Sequence, residues 1–177
     1  MSDKKRNDHI DPYDREATQR AAEYDSIDPA QMYEPLLPLL PVKGAKTLDI
    51  GAGAGRDALW LESMGNSGVA IEPARGLRKI MADKAQRGAG RNSVREGTLP
   101  NLTTLKENEK FDLILLSAVW QHVAPRQRRA AFNKVAGHLK DGGMVYMLLR
   151  QGPAPAGRKM YPVSDRSLKG YAADLGL

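Results

Sequence analysis

The chain has 177 residues, 41% of them hydrophobic and 27% charged, which suits one soluble domain with a two- or three-layer core. It has no cysteine, which excludes disulfides, thiolate catalysis and cysteine-ligated zinc; no apolar run approaches the roughly 18 residues of a membrane helix, and the polar start lacks a signal-peptide core, so a cytoplasmic protein without membrane contact is expected. The formal charge of +6 and pI near 9.6 raise a nucleic-acid reading, but the few aromatics do not interleave with the basic residues as a stacking platform requires.

Residues 1–25 form a polar segment expected to begin disordered and to turn helical over 17–24, where it suits a flap; the domain proper is taken as 26–177. Residues 32–41, with Pro35, Pro38 and Pro41 among leucines, predict a short helix or extended stretch packed on the sheet edge. From there the units alternate: strand 47–50, helix 56–64, strand 68–72, helix 74–87, strand 93–96, a short crossover, strand 111–117, helix 125–139 and strand 143–150. This order predicts an α/β fold, a doubly wound, mostly parallel sheet with helices on both faces and right-handed crossovers. Ligands of such sheets sit beyond the carboxyl ends of the strands, at the switch point.

Three alternate glycines, Gly51, Gly53 and Gly55, follow the first strand, and a helix starts at once with Arg56. Glycines there permit positive φ and a close approach to the main chain, while the first helical turn offers free amides. The second strand ends in Glu72 and Pro73, where a dinucleotide-type fold places an acid for both ribose hydroxyls. Glycine turn and acid together predict a nucleoside pocket. A dinucleotide is disfavoured, because the third glycine comes one place early and Arg56 at the sixth position would crowd a pyrophosphate. The leading acid, Asp49, suits an ammonium group better than a phosphate.

The run from Asp49 through Gly51, Gly53 and Gly55, with Glu72 ending strand two, resembles the class I S-adenosylmethionine-dependent methyltransferases, whose first motif is acid-x-Gly-x-Gly-x-Gly. The similarity extends from about Tyr24 to the end: Leu99 and Pro100 stand where the family has its Leu-Pro loop, Phe111 to Val123 where it has strand four, and Gly142 and Gly143 where a turn leads into strand five. It implies S-adenosylmethionine as cofactor, S-adenosylhomocysteine as product, no metal, and cofactor contacts from Asp49, the glycines with Ala52, Arg56, Glu72 and Pro73, the Gly97, Thr98 and Leu99 loop, and Ser117. One departure lies in the third motif, where the adenine contact falls to Glu96 or to the backbone of Gly97 and Thr98. The family also continues with a sixth strand and an antiparallel seventh. Here the sequence reaches only a helix at 164–177, so both strands are expected to be missing and the exposed edge of strand five to invite association.

Several of these residues equally suit structural roles. Asp49 and Glu72 can cap the helices that follow them, and Arg56 suits either the methionine carboxylate or a salt bridge to Asp57. Trp120, Gln121 and His122 follow strand four, where family members meet substrate. Tyr24, Tyr33 and Trp120 suit the acceptor pocket or the core, Arg150 suits an acidic acceptor group, and His122 is the candidate general base against a reading as a packing residue.

Methyl transfer from a sulfonium is an in-line displacement that needs positioning and a dry site. No metal-ligand spacing such as His-x-x-x-His occurs. The expected function is therefore metal-independent methyl transfer to a small-molecule acceptor. An inactive S-adenosylmethionine-binding remnant is the alternative. An RNA or protein methyltransferase rests on charge alone, and Ser117 to Trp120 lacks the Asn/Asp-Pro-Pro-Tyr motif of base-amine enzymes.

Overall fold

In the computed structural model, which describes residues 10–40, 43–88, 90–155 and 158–177, five parallel strands form one sheet in the order β3-β2-β1-β4-β5. The strands are β1 (Lys46–Ile50), β2 (Ser67–Ile71), β3 (Asn92–Arg95), β4 (Phe111–Ser117) and β5 (Leu139–Leu148). The helices are α1 (Asp11–Arg15), α2 (Ala17–Asp25), α3 (Pro29–Met32), α4 (Arg56–Ser63), α5 (Arg75–Arg87), α6 (Arg128–Ala136) and α7 (Asp165–Ala173). Residues 1–9, expected to be disordered, and Pro41 lie outside the described residues.

Side-chain alternation along the strands explains the two helical layers. Leu48, Ile50, Val69, Ile71, Ile114 and Leu116 share a core with Phe132 and Val135 of α6, and Leu168 and Tyr171 of α7 pack against it. On the opposite face Leu113 and Leu115 meet Tyr33, Leu36 and Leu61, while Ala70 meets Ala58 of α4 and Met81 of α5. The order reverses between β1 and β4, so their carboxyl ends open a crevice.

Three expectations need correction. The proline-rich stretch forms a 3-10 helix, Glu34–Leu39, and its Leu36 packs on the sheet face with Leu113 and Leu115, not on the edge, because the buried apolar surface lies there. The helix expected at 125–139 is a 3-10 turn, Pro125–Gln127, followed by α6, which stops at Ala136. Strand five begins earlier, at Leu139: its Gly142 and Gly143 are absorbed as an irregularity between the Phe111–Leu139 and Leu113–Met144 pairs, with Gly142 at φ 72°, and it ends at Leu148 opposite the last residue of β4.

Cations on the outer helices pair locally: Arg78 with Glu96 at 2.7 Å, Lys79 with Asp83 at 2.8 Å, Lys84 with Asp25 at 2.7 Å, and Arg129 with Asp174. Among the described residues, no helix is long and apolar enough to cross a membrane, and no group of three His, Asp or Glu could hold a metal ion. There, too, the outer edge of β5 pairs with no further strand.

Candidate functional site

A cavity of about 380 Å³ opens at the crevice, within the range of small-molecule sites. Its floor is the turn after β1. Gly51 has φ 73°, and a Cβ there would sit 2.4 Å from the Val119 side chain; at Gly53, φ 56°, a Cβ would press on the Tyr24 ring at 3.1 Å. Gly51 thus requires glycine on conformation and on space, and Gly53 chiefly on conformation. The Gly51 and Ala52 amides donate to the Ile71 carbonyl at 2.7 and 3.0 Å, tying the turn to the end of β2.

Glu72 follows β2 and is buried, yet its side chain reaches the cavity wall. Oε2 accepts the Gly53 amide at 2.9 Å and Oε1 the Ala74 amide at 2.8 Å. Burial raises its pKa to about 7, with those two amides and Arg78 opposing the rise. Each oxygen keeps lone-pair capacity for a further donor. Glu72 therefore serves the backbone at the start of α5, and the residue also lines the cavity.

Asp49 lies behind this wall, outside the lining. It is buried, and neither oxygen accepts a well-formed hydrogen bond; burial raises its pKa, Asp57 reinforces that, and Arg56 opposes it. Beside Glu72, the acid that lines the cavity is Asp57, which from sequence is only a salt-bridge partner for Arg56. Arg56 Nε meets Asp57 Oδ1 at 2.6 Å, the Tyr33 hydroxyl donates to Asp57 Oδ2 at 2.8 Å, and Arg56 also approaches Ser117 Oγ at 3.5 Å. Cation and anion side by side complement an amino-acid zwitterion. Burial, reinforced by the negative charge of Asp57, pushes the Tyr33 hydroxyl well above the usual phenol range, keeping it a donor.

The far wall comes from segments distant in sequence. Ala118, directly after β4, has φ 53°, a left-handed conformation unusual for alanine, and turns the chain so that Val119, Gln121 and His122 reach the cavity. The Tyr13 hydroxyl lies 3.3 Å from His122 Nε2. Arg158 stacks over the Tyr13 ring at 4.8 Å and reaches Glu16 at 3.2 Å.

Of the residues singled out from sequence, Tyr24, Gly51, Gly53, Arg56, Glu72, Pro73, Gly97, Thr98, Leu99, Ser117, His122 and Arg150 line this one cavity. Ala52 and Gly55 shape the turn without lining it, Trp120 is buried in the core against Phe132, and Glu96 points outward to Arg78. Gln121, named beside His122 after strand four, lines it too, and the structure adds Tyr13, Asp57, Arg158 and Met160. None of these four carries a sequence signal as a substrate contact.

A model of the methyltransferase domain family matches residues 47–143, more than half of the chain. Over 86 residues the chain is 36% identical to the ubiquinone biosynthesis O-methyltransferase of Azorhizobium caulinodans, covering 49% of this chain and 33% of that protein. The fold is shared with a TehB-like S-adenosylmethionine-dependent methyltransferase from Corynebacterium glutamicum, with a TM-score of 0.65 at 20% identity over 94% of this chain and 82% of that one. The chain thus spans about a third of the curated relative's length. With the β1 glycine turn and the β2 acid inside the matched span, the chain belongs to the methyltransferase domain family of class I S-adenosylmethionine-dependent methyltransferases.

Proposed function

We propose that the chain binds S-adenosylmethionine along the glycine turn and transfers its methyl group to a small-molecule acceptor held near Tyr13 and His122. The observation that carries this reading is the buried Glu72 carboxylate facing the same cavity as the Gly51 to Gly55 turn. The residues present fit the cofactor: Glu72 for the ribose hydroxyls, Gly97 to Leu99 for the base, and the Arg56–Asp57 pair for the methionine carboxylate and ammonium. When bound, the cofactor supplies an electrophilic methyl and departs as S-adenosylhomocysteine.

The chain's own residues position and desolvate the acceptor. Ile50, Leu77, Val119 and Leu148 give the cavity apolar walls that exclude water. His122 takes the proton of an acceptor hydroxyl, and Tyr13, hydrogen-bonded to Nε2, steadies the ring. An oxygen acceptor accords with the O-methyltransferase among the relatives.

Calorimetric titration with S-adenosylhomocysteine tests the reading. Micromolar affinity, on the order of −8 kcal/mol, is expected, with Gly53→Arg abolishing it and Glu72→Ala weakening it at least 100-fold, about 3 kcal/mol for two charge-assisted hydrogen bonds. No binding by the folded wild-type chain overturns the proposal.

A further inference from the structure

Beyond the cofactor half, the cavity runs into a second space of about 250 Å³, and Gln121, Arg150 and Met160 line both. Gln121 is 4% exposed. Its Nε2 donates to the Ala118 carbonyl, which orients the amide, and its buried Oε1 has no hydrogen-bond partner. A buried acceptor left unsatisfied is costly, so this atom calls for a ligand donor.

The charges beside it are cationic. Arg150 gives one hydrogen bond, to the Gly152 carbonyl at 3.3 Å, and pairs with no carboxylate among the described residues. Arg158 shares its one carboxylate, Glu16, with Arg20, whose own guanidinium lies 2.6 Å from the same oxygen. Arg20 is also held by Glu23 at 2.5 Å, so one carboxylate, Glu16, stands against the two guanidinium groups that border the cavity. Such forks match a carboxylate geometrically and disfavour a cationic ligand. Leu148 and Met160 add apolar wall for a hydrocarbon body.

We propose that the acceptor is a small carboxylic acid bearing a hydroxyl or amino group beside its carboxylate. Arg150 and Arg158 bind the carboxylate, and Gln121 Oε1 accepts from the neighbouring hydroxyl or amine in the ground state; that oxygen or nitrogen forms the bond to the methyl as its proton passes to His122 and the carbon–sulfur bond of the donor breaks. This rests on the reading of the other half as the cofactor site and names the acceptor class for it.

The test uses the full chain saturated with S-adenosylhomocysteine, titrated with 2-hydroxybenzoate, 2-aminobenzoate, 2-hydroxy-4-methylpentanoate and the primary amide of each. At least one acid is expected to bind tenfold or more tighter than its amide. Arg150→Met and Arg158→Met should each weaken that acid at least fivefold while S-adenosylhomocysteine affinity stays within twofold. If an arginine variant does not fold, Gln121→Glu, which sets a carboxylate against the acid, should weaken it at least tenfold. No acid outcompeting its amide, or a preference that survives the substitutions, overturns the proposal and leaves the cofactor reading standing. Failure of S-adenosylhomocysteine to bind at all removes both, and is read separately before any acid is added.

Discussion

The two ends of the cavity are held by different means. At the glycine turn the contacts are backbone amides closing on the Ile71 carbonyl and on the buried Glu72 carboxylate, and that from Gly53 to Glu72 spans 19 residues. At the other end the contacts are side chain to side chain across 109 residues for Tyr13 and His122, and 142 for Glu16 and Arg158. The first end is built by a strand-turn-helix unit whose geometry is local. The second exists only once α1 and the stretch around Arg158 have docked on the sheet. Substitutions at one end should therefore spare the other, and this separation can be broken experimentally.

The largest expected effect is on chemistry at the docked end. His122→Ala should lower turnover of a hydroxyl acceptor by 10²- to 10⁴-fold, about 3 to 5 kcal/mol of barrier, while S-adenosylhomocysteine affinity stays within twofold. Tyr13→Phe, which keeps the ring under Arg158, should cost less than His122→Ala. Equal loss of turnover and of cofactor affinity in His122→Ala would show a packing residue and not a base.

The next effect is at the glycine end and depends on pH. Glu72 has a folded pKa near 7 against an ordinary value of 4.5. Between those values the folded chain holds a proton that the unfolded chain has released, so stability falls as pH rises through this window, by at most about 3 kcal/mol. Cofactor affinity runs the other way. In the proposed complex the ribose hydroxyls donate to the ionised carboxylate, so binding should be flat above pH 7 and weaken about tenfold per pH unit below it. Urea midpoints and calorimetry at pH 5 to 8 measure the two slopes, and Glu72→Gln should flatten both. A wild-type affinity independent of pH would remove Glu72 from the ribose.

Legibility in the sequence follows the same division. Gly51, Gly53 and Glu72 stand out because a turn needing positive φ, with an acid one strand later, is a local signal that few arrangements besides a nucleoside pocket produce. The alternation of strands and helices likewise leads to the five parallel strands, whereas the ends of α6 and β5 move because a glycine pair that reads as a turn is absorbed into the sheet. Trp120 suits the pocket by its place in the sequence, but one residue of left-handed backbone at Ala118 sends it into the core and Gln121 and His122 toward the cavity, a rotation that no periodicity reports. Arg158 and Tyr13 carry no motif at all, and their meeting is set by tertiary docking.

Ala118 is where the two ends join, and it carries the smallest expected effect. Its amide donates to the Leu148 carbonyl at 2.9 Å, its carbonyl anchors Gln121, and the next residue, Val119, lies over Gly51. A left-handed alanine costs about 1 to 2 kcal/mol, and glycine loses roughly 0.5 to 1 kcal/mol more entropy on folding. Ala118→Gly should therefore stabilise the chain by about 0.5 to 1 kcal/mol, read from the urea midpoint at constant slope. Because the strained turn aims Gln121 at the acceptor and only rests Val119 on the glycine loop, acceptor affinity should fall a few-fold while cofactor affinity holds. A loss at both ends would show that the turn couples them, and the separation drawn between backbone-built and docked halves would then fail at its one shared residue.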